Sequence, residues 1–111
     1  MQRLKSGYEV TFIVPESRRH EGKRIVDLVT DTAEAHGITR MTWRRDVEGV
    51  GEDGRMHAAH FFELADQPVE LIYALGEEAA ERFIDAIEAT GAPVFCLCRP
   101  VHFGQLNEHN G

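Results

Sequence analysis

An α+β fold, with two helices on one face of a four-stranded antiparallel sheet, is predicted by three observations. Alternation of period two marks four stretches of the chain, and apolar spacing of three and four residues marks two others. The six fall in the order strand, helix, strand, strand, helix, strand, which is the split β-α-β arrangement of ferredoxin-like domains. Two helices cover only one face of such a sheet.

Tyr8, Val10, Phe12 and Val14 alternate with Glu9, Thr11 and Ile13, predicting a first strand that stops at Pro15. Glu16 to Gly22 reads as a polar loop. Ile25, Leu28, Val29, Thr32, Ala33 and His36 lie on one stripe of a helix from about Lys23 to His36, and Gly37 supplies the left-handed residue that ends one. Met41, Trp43 and Arg45 alternate with Thr42 and Arg44 in a second strand, after which a glycine-rich excursion runs to His57. Ala58 to Leu64 resumes an extended pattern, and Ala65-Asp66-Gln67-Pro68 reads as a turn. Val69, Leu71, Tyr73 and Leu75 form the third strand. Ala80, Phe83, Ile84 and Ile87 mark the second helix, with Glu77 and Glu78 at its positive end and Gly91 closing it. Val94 to Val101 is the last strand, carrying Cys96 and Cys98 as small core residues on one face. Trp43 and Tyr73 are read as core or interface residues.

Apolar residues remain on the strands after the helix face is filled, namely Ile13, Ile72, Ala74, Phe95 and Leu97. A solvated sheet face does not need them, so the second face is expected to be buried in an oligomer.

The composition sets bounds. With 111 residues and 42% hydrophobic content, the chain is sized for one domain, with its core at about 8–104 and a polar tail over 105–111. Its net charge of −7 argues against a nucleic-acid surface or an anionic membrane partner. No apolar stretch reaches the roughly 20 residues of a membrane span, the first residues lack a signal peptide, and two cysteines one residue apart make no disulfide framework, so a cytoplasmic protein is expected. No nucleophile–base spacing is evident and no carboxylate stands in apolar surroundings, so the chain is not read as an enzyme.

The excursion is where chemistry concentrates. Gly49, Gly51 and Gly54 follow a strand without opening an apolar helix, which disfavours a dinucleotide-binding turn but leaves backbone N–H groups free to approach a phosphate at Gly49 and Gly51. Arg44, Arg45, Arg55 and Arg99 are candidate anion ligands, because a planar guanidinium donates paired hydrogen bonds to phosphate or bicarbonate. Arg44 and Arg45 must face opposite sides of the sheet. Arg18-Arg19-His20 reads as a solvated loop ahead of a helix start that could also hold an anion. His57, His60, Cys96 and Cys98 are the alternative, a metal-binding or metal-tolerance trimer; a ligand-free interaction module is a third reading.

Val47-Glu48-Gly49-Val50-Gly51, Val69-Glu70-Leu71-Ile72-Tyr73, Glu77 to Thr90 and the ending Val94-Phe95-Cys96-Leu97-Cys98-Arg99-Pro100-Val101-His102-Phe103-Gly104 together resemble the PII signal-transduction superfamily. The likeness covers roughly Tyr8 to Gly104 and is similar to PII-like members associated with bicarbonate transporters and carboxysomes. It implies a homotrimer with its sheets packed inward and adenine nucleotides in the clefts between subunits. It also implies a T-loop that reports ligand state to a membrane transporter or an enzyme, and it sets Arg99 near the nucleotide cleft. Almost nothing stands between Thr90 and Pro93 where the family carries its phosphate-binding B-loop, Glu52 and Asp53 replace the family's Arg-Gln pair, and the loop has no tyrosine for uridylylation. The resemblance therefore points to AMP, ADP or cyclic AMP before ATP, with bicarbonate as a co-ligand and no other cofactor.

Overall fold

The computed structural model describes residues 3–45 and 67–107. Its strands are β1 (Lys5–Pro15), β2 (Arg19–His20), β3 (Lys23–Arg24), β4 (Thr42–Arg45), β5 (Pro68–Leu75) and β6 (Phe95–Phe103); its helices are α1 (Ile25–Ala35) and α2 (Glu77–Ala89). β4, β5, β1 and β6 form one antiparallel sheet in that order, and β2 pairs with β3 in a small hairpin. The predicted α+β order and antiparallel sheet are both present.

Strand register explains the core. Tyr8, Val10, Phe12 and Val14 stand opposite Leu75, Tyr73, Leu71 and Val69, so one face of the two central strands is continuously apolar. α1 lays Ile25, Val26, Val29 and Ala33 onto that face, and α2 adds Ala80, Phe83 and Ile87. Phe83 meets Tyr73 and Phe12 edge to face, with ring centroids 4.8 and 5.2 Å away. Tyr73 is buried with them, and burial pushes its phenol up to about 12.

Both helix ends follow from local sequence. The Ile38 N–H donates to the Ala33 carbonyl and the Gly37 N–H to the Glu34 carbonyl, a Schellman closure that needs the left-handed φ of +75° at Gly37. Gly91, at φ +77°, does the same service after α2.

Four expectations change. Glu16 to Gly22 is not simply a loop but contains most of a hairpin, because Glu21 and Gly22 both take positive φ and turn Arg19-His20 back onto Lys23-Arg24. α1 consequently begins at Ile25 rather than Lys23. β6 runs two residues past Val101, since β1 begins at Lys5 and offers Phe103 and His102 partners. Cys96 and Cys98 are not core residues: they share a face as expected, opposite Phe12 and Val10, but β6 is an edge strand and both are exposed. Trp43, on the other edge strand, is 40% exposed, which leaves the interface half of its reading.

The sheet face turned from the helices carries the apolar residues that the helix face leaves over, with Ile13 among them already buried in the single chain. Ile13 and Phe95 stand in one cross-strand row, Ile72, Thr11 and Leu97 in the next, and Ala74 in the third. Leu97 is 50% exposed there. No described helix is long and apolar enough to cross a membrane.

Candidate functional site

Among the described residues β4 ends at Arg45 and β5 begins at Pro68, and this end of the sheet collects the groups of interest. β1 finishes here at Pro15, opposite Pro68, and its continuation is tied down at once. The Glu16 N–H donates to the Gln67 carbonyl at 3.1 Å, and the Glu16 carboxylate takes both terminal nitrogens of Arg45. The hairpin that follows reaches the end of α2, where the His20 imidazole N–H donates to the Thr90 carbonyl at 3.2 Å. The Ile25 N–H donates to the Arg18 carbonyl at 2.9 Å and anchors the other side of the hairpin. The ends of β1, β4 and α2 and the start of β5 are thus joined through one short stretch of chain.

Arg44 and Arg45 do point to opposite faces. Arg44 stands on the open face opposite Glu70, whose side chain is only 4% exposed, and donates to its Oε1 at 3.2 Å. Arg45 lies on the helix side with Glu16. Arg99 sits inside β6 and donates from Nε to the cross-strand Glu9 at 2.9 Å. Each described arginine chosen from the sequence therefore already holds a carboxylate of its own chain. Arg44 and Arg99 share the face turned from the helices, three strands and four residues of strand apart, roughly 20 Å between backbones at ordinary sheet spacings.

Gly49, Gly51, Arg55, His57 and His60 lie outside the described residues, as does the extended pattern over 58–64. Among the described residues no three His, Cys, Asp or Glu groups converge on a metal position. Desolvation and the neighbouring Cys98 push the Cys96 thiol up to about 11.

Two surface carboxylates shape the charge at this end. A hydrogen bond from Arg45 holds Glu16 below its ordinary value, and a hydrogen bond from Arg24 does the same for Asp27, with Lys23 and Arg19 adding to it. Arg24 grips Asp27 through Nε at 3.0 Å and Nη2 at 3.2 Å. A carboxylate depressed in the folded state stabilises the fold above its unfolded pKa and stops doing so as pH falls through the folded value. Melting temperature is therefore expected to drop with acidification below roughly pH 4, and in Arg45→Ala the acid limb flattens while the neutral melting temperature falls slightly. Identical acid limbs in wild type and variant, measured by circular dichroism, would remove the pair from the acid response.

Sequence reasoning missed the partners Glu9, Glu16 and Glu70, because cross-strand pairing depends on a register that no local pattern states. It also missed the His20 contact with α2, for which the only signal was the Glu21-Gly22 turn.

A family model described as DUF190, Uncharacterized ACR, matches residues 8–102. No curated protein matches the chain. Among solved structures, CPII from Thiomonas intermedia K12 bound to ADP, AMP and acetate superposes with a TM-score of 0.65 at 15% identity, covering 92% of both chains. Its apo form, a nitrogen regulatory PII-like protein, gives 0.60 at 14% identity over 92% of this chain and 96% of that one. A putative PII-like signaling protein from Thermus thermophilus gives 0.59 at 16% identity over 90% of both chains.

Proposed function

The chain belongs to the DUF190 family and has the PII-like fold, and from that premise we propose that it is a regulatory protein that binds an adenine nucleotide between subunits of a homotrimer. ADP and AMP are the preferred ligands, with bicarbonate as co-ligand. The observation that carries this reading is the superposition, over 92% of both chains, on a PII-like protein that holds ADP and AMP; bicarbonate accompanies the same two nucleotides in another structure of that protein. The apolar open face supports the trimer, since packing three such faces together removes Ile72, Phe95 and Leu97 from water.

In this reading the Arg44 to His57 region, with Gly49, Gly51 and Arg55, reorients with ligand state, and Arg44, Arg45 and Arg99 exchange their own carboxylates for the ligand. A ligand shifts such a loop only through different affinities for its two states. The regulated partner is a membrane transporter for inorganic carbon, the protein is cytoplasmic, and it performs no chemistry on the nucleotide.

Calorimetric titration with AMP, ADP, ATP and cyclic AMP, with and without bicarbonate, together with light scattering, tests the proposal. One micromolar site per subunit and a mass of three chains are the expected outcome. A monomer with no nucleotide heat would sink it.

A further inference from the structure

We propose that Arg18 and Arg19, on the hairpin that begins after β1, are phosphate ligands for the nucleotide, taking the part of a phosphate-binding loop that the short 90–93 connection leaves no room for. This rests on the nucleotide reading above and assigns a role to residues that the sequence argument read as solvated loop beside a helix start able to hold an anion.

Among the described residues, two guanidinium groups at this end of the molecule have no ion-pair partner. Five arginines gather where β1 and β4 end: Arg18, Arg19, Arg24, Arg44 and Arg45. Arg24 is bound to Asp27, Arg44 to Glu70 and Arg45 to Glu16. Lys23 is likewise held by Asp31. Arg19 makes its hydrogen bond to a backbone carbonyl, that of Gly22 at 3.2 Å, which leaves its charge in place. Asp27 feels Arg19, but both of its oxygens are occupied by Arg24. Arg18 is half-buried and has no carboxylate in ion-pair range among the described residues. In a chain of net charge −7, two consecutive arginines with no carboxylate in ion-pair range among the described residues stand apart from the paired arginines around them.

Their placement is fixed before any ligand arrives. The Arg18 N–H donates to the Pro15 carbonyl at 3.0 Å and the Arg18 carbonyl accepts from Ile25, so its backbone is held from both sides. Glu16 ties the near side of the hairpin to Arg45 and Gln67, and His20 ties its far side to Thr90. The two arginines therefore stand between the strand ends that flank residues 46–66 and the end of α2. Preorganised donors lose little entropy on binding, and a guanidinium fork matches two phosphate oxygens at once. ADP offers such oxygens on two phosphates and adenosine offers none.

The test is titration of the full chain with ADP and with adenosine, in wild type, Arg18→Ala, Arg19→Ala, the double variant and the double Arg→Lys variant. ADP affinity is expected to fall at least tenfold in each single alanine variant, with adenosine affinity unchanged and the lysine variant recovering part of the loss. Melting curves establish that each variant folds; the single variants decide the matter if the double one does not. Wild-type ADP binding that all the alanine variants retain would overturn the hairpin assignment and leave the nucleotide reading standing. Wild type that takes neither ADP nor adenosine would end both.

Discussion

Phe83→Ala is expected to remove about 4 kcal/mol of stability and lower the melting temperature by on the order of 20 °C. Phe83 is fully buried, and it joins the two secondary-structure layers: its ring edge meets Tyr73 on β5 and Phe12 on β1. Truncation leaves a void among Val10, Phe12, Leu71 and Tyr73, whose backbones are fixed in the ladder and cannot collapse to fill it. The loss therefore includes both the transfer of the ring and the contacts its neighbours forfeit. Thermal unfolding by calorimetry measures it, and a shift smaller than about 5 °C would mean that α2 does not hold the sheet as described.

Gly7→Ala is the second large effect, and its origin is crowding. A methyl group at Gly7 would overlap the Leu75 carbonyl oxygen and the Phe103 ring, and would stand 3.0 Å from the Leu75 carbonyl carbon. The carbonyl belongs to a paired strand, so relief requires a shift in the β1–β5 ladder or ejection of Phe103 from β6. A loss of about 2 to 3 kcal/mol is expected. Gly76→Ala provides the comparison, since nothing lies within 4 Å of a methyl group there and the backbone is not left-handed; it is expected to cost less than about 1 kcal/mol, from the lower preference of a helix N-cap for alanine. Equal melting temperatures for Gly7→Ala and wild type would contradict the close approach.

Both effects depend on features unequally visible in the sequence. The position of Phe83 was legible, because Ala80, Phe83 and Ile87 repeat at helical spacing against strands that alternate cleanly. The crowding at Gly7 was not, since it depends on a strand at the far end of the chain folding beside it. The same division holds at the candidate site. Arg44 and Arg45 were placed on opposite faces by strand geometry alone, whereas their carboxylates are long-range partners set by register. Cys96 and Cys98 show how an apolar run misleads: β6 alternates like a core strand, yet it stands at an edge beyond the reach of both helices. The hairpin at Arg19–His20 and Lys23–Arg24 is too short for periodicity to reveal, and Gly22 was its one cue.

The pairing of β1 with β6 has a consequence for how the protein is made. Residue 5 faces residue 103 and residue 13 faces residue 95, so a central strand waits for its second neighbour until nearly all of the described chain has been synthesised. At about 5 to 20 residues per second, the nascent chain passes several seconds with one whole edge of β1, from Lys5 to Ile13, lacking its hydrogen-bond partner. That edge is apolar on the helix side and matches the alternation of any other extended segment in the cell. Folding on the ribosome therefore ends with the last strand shutting an open template, and a chain cut short before Phe95 is left with that template exposed to aggregation.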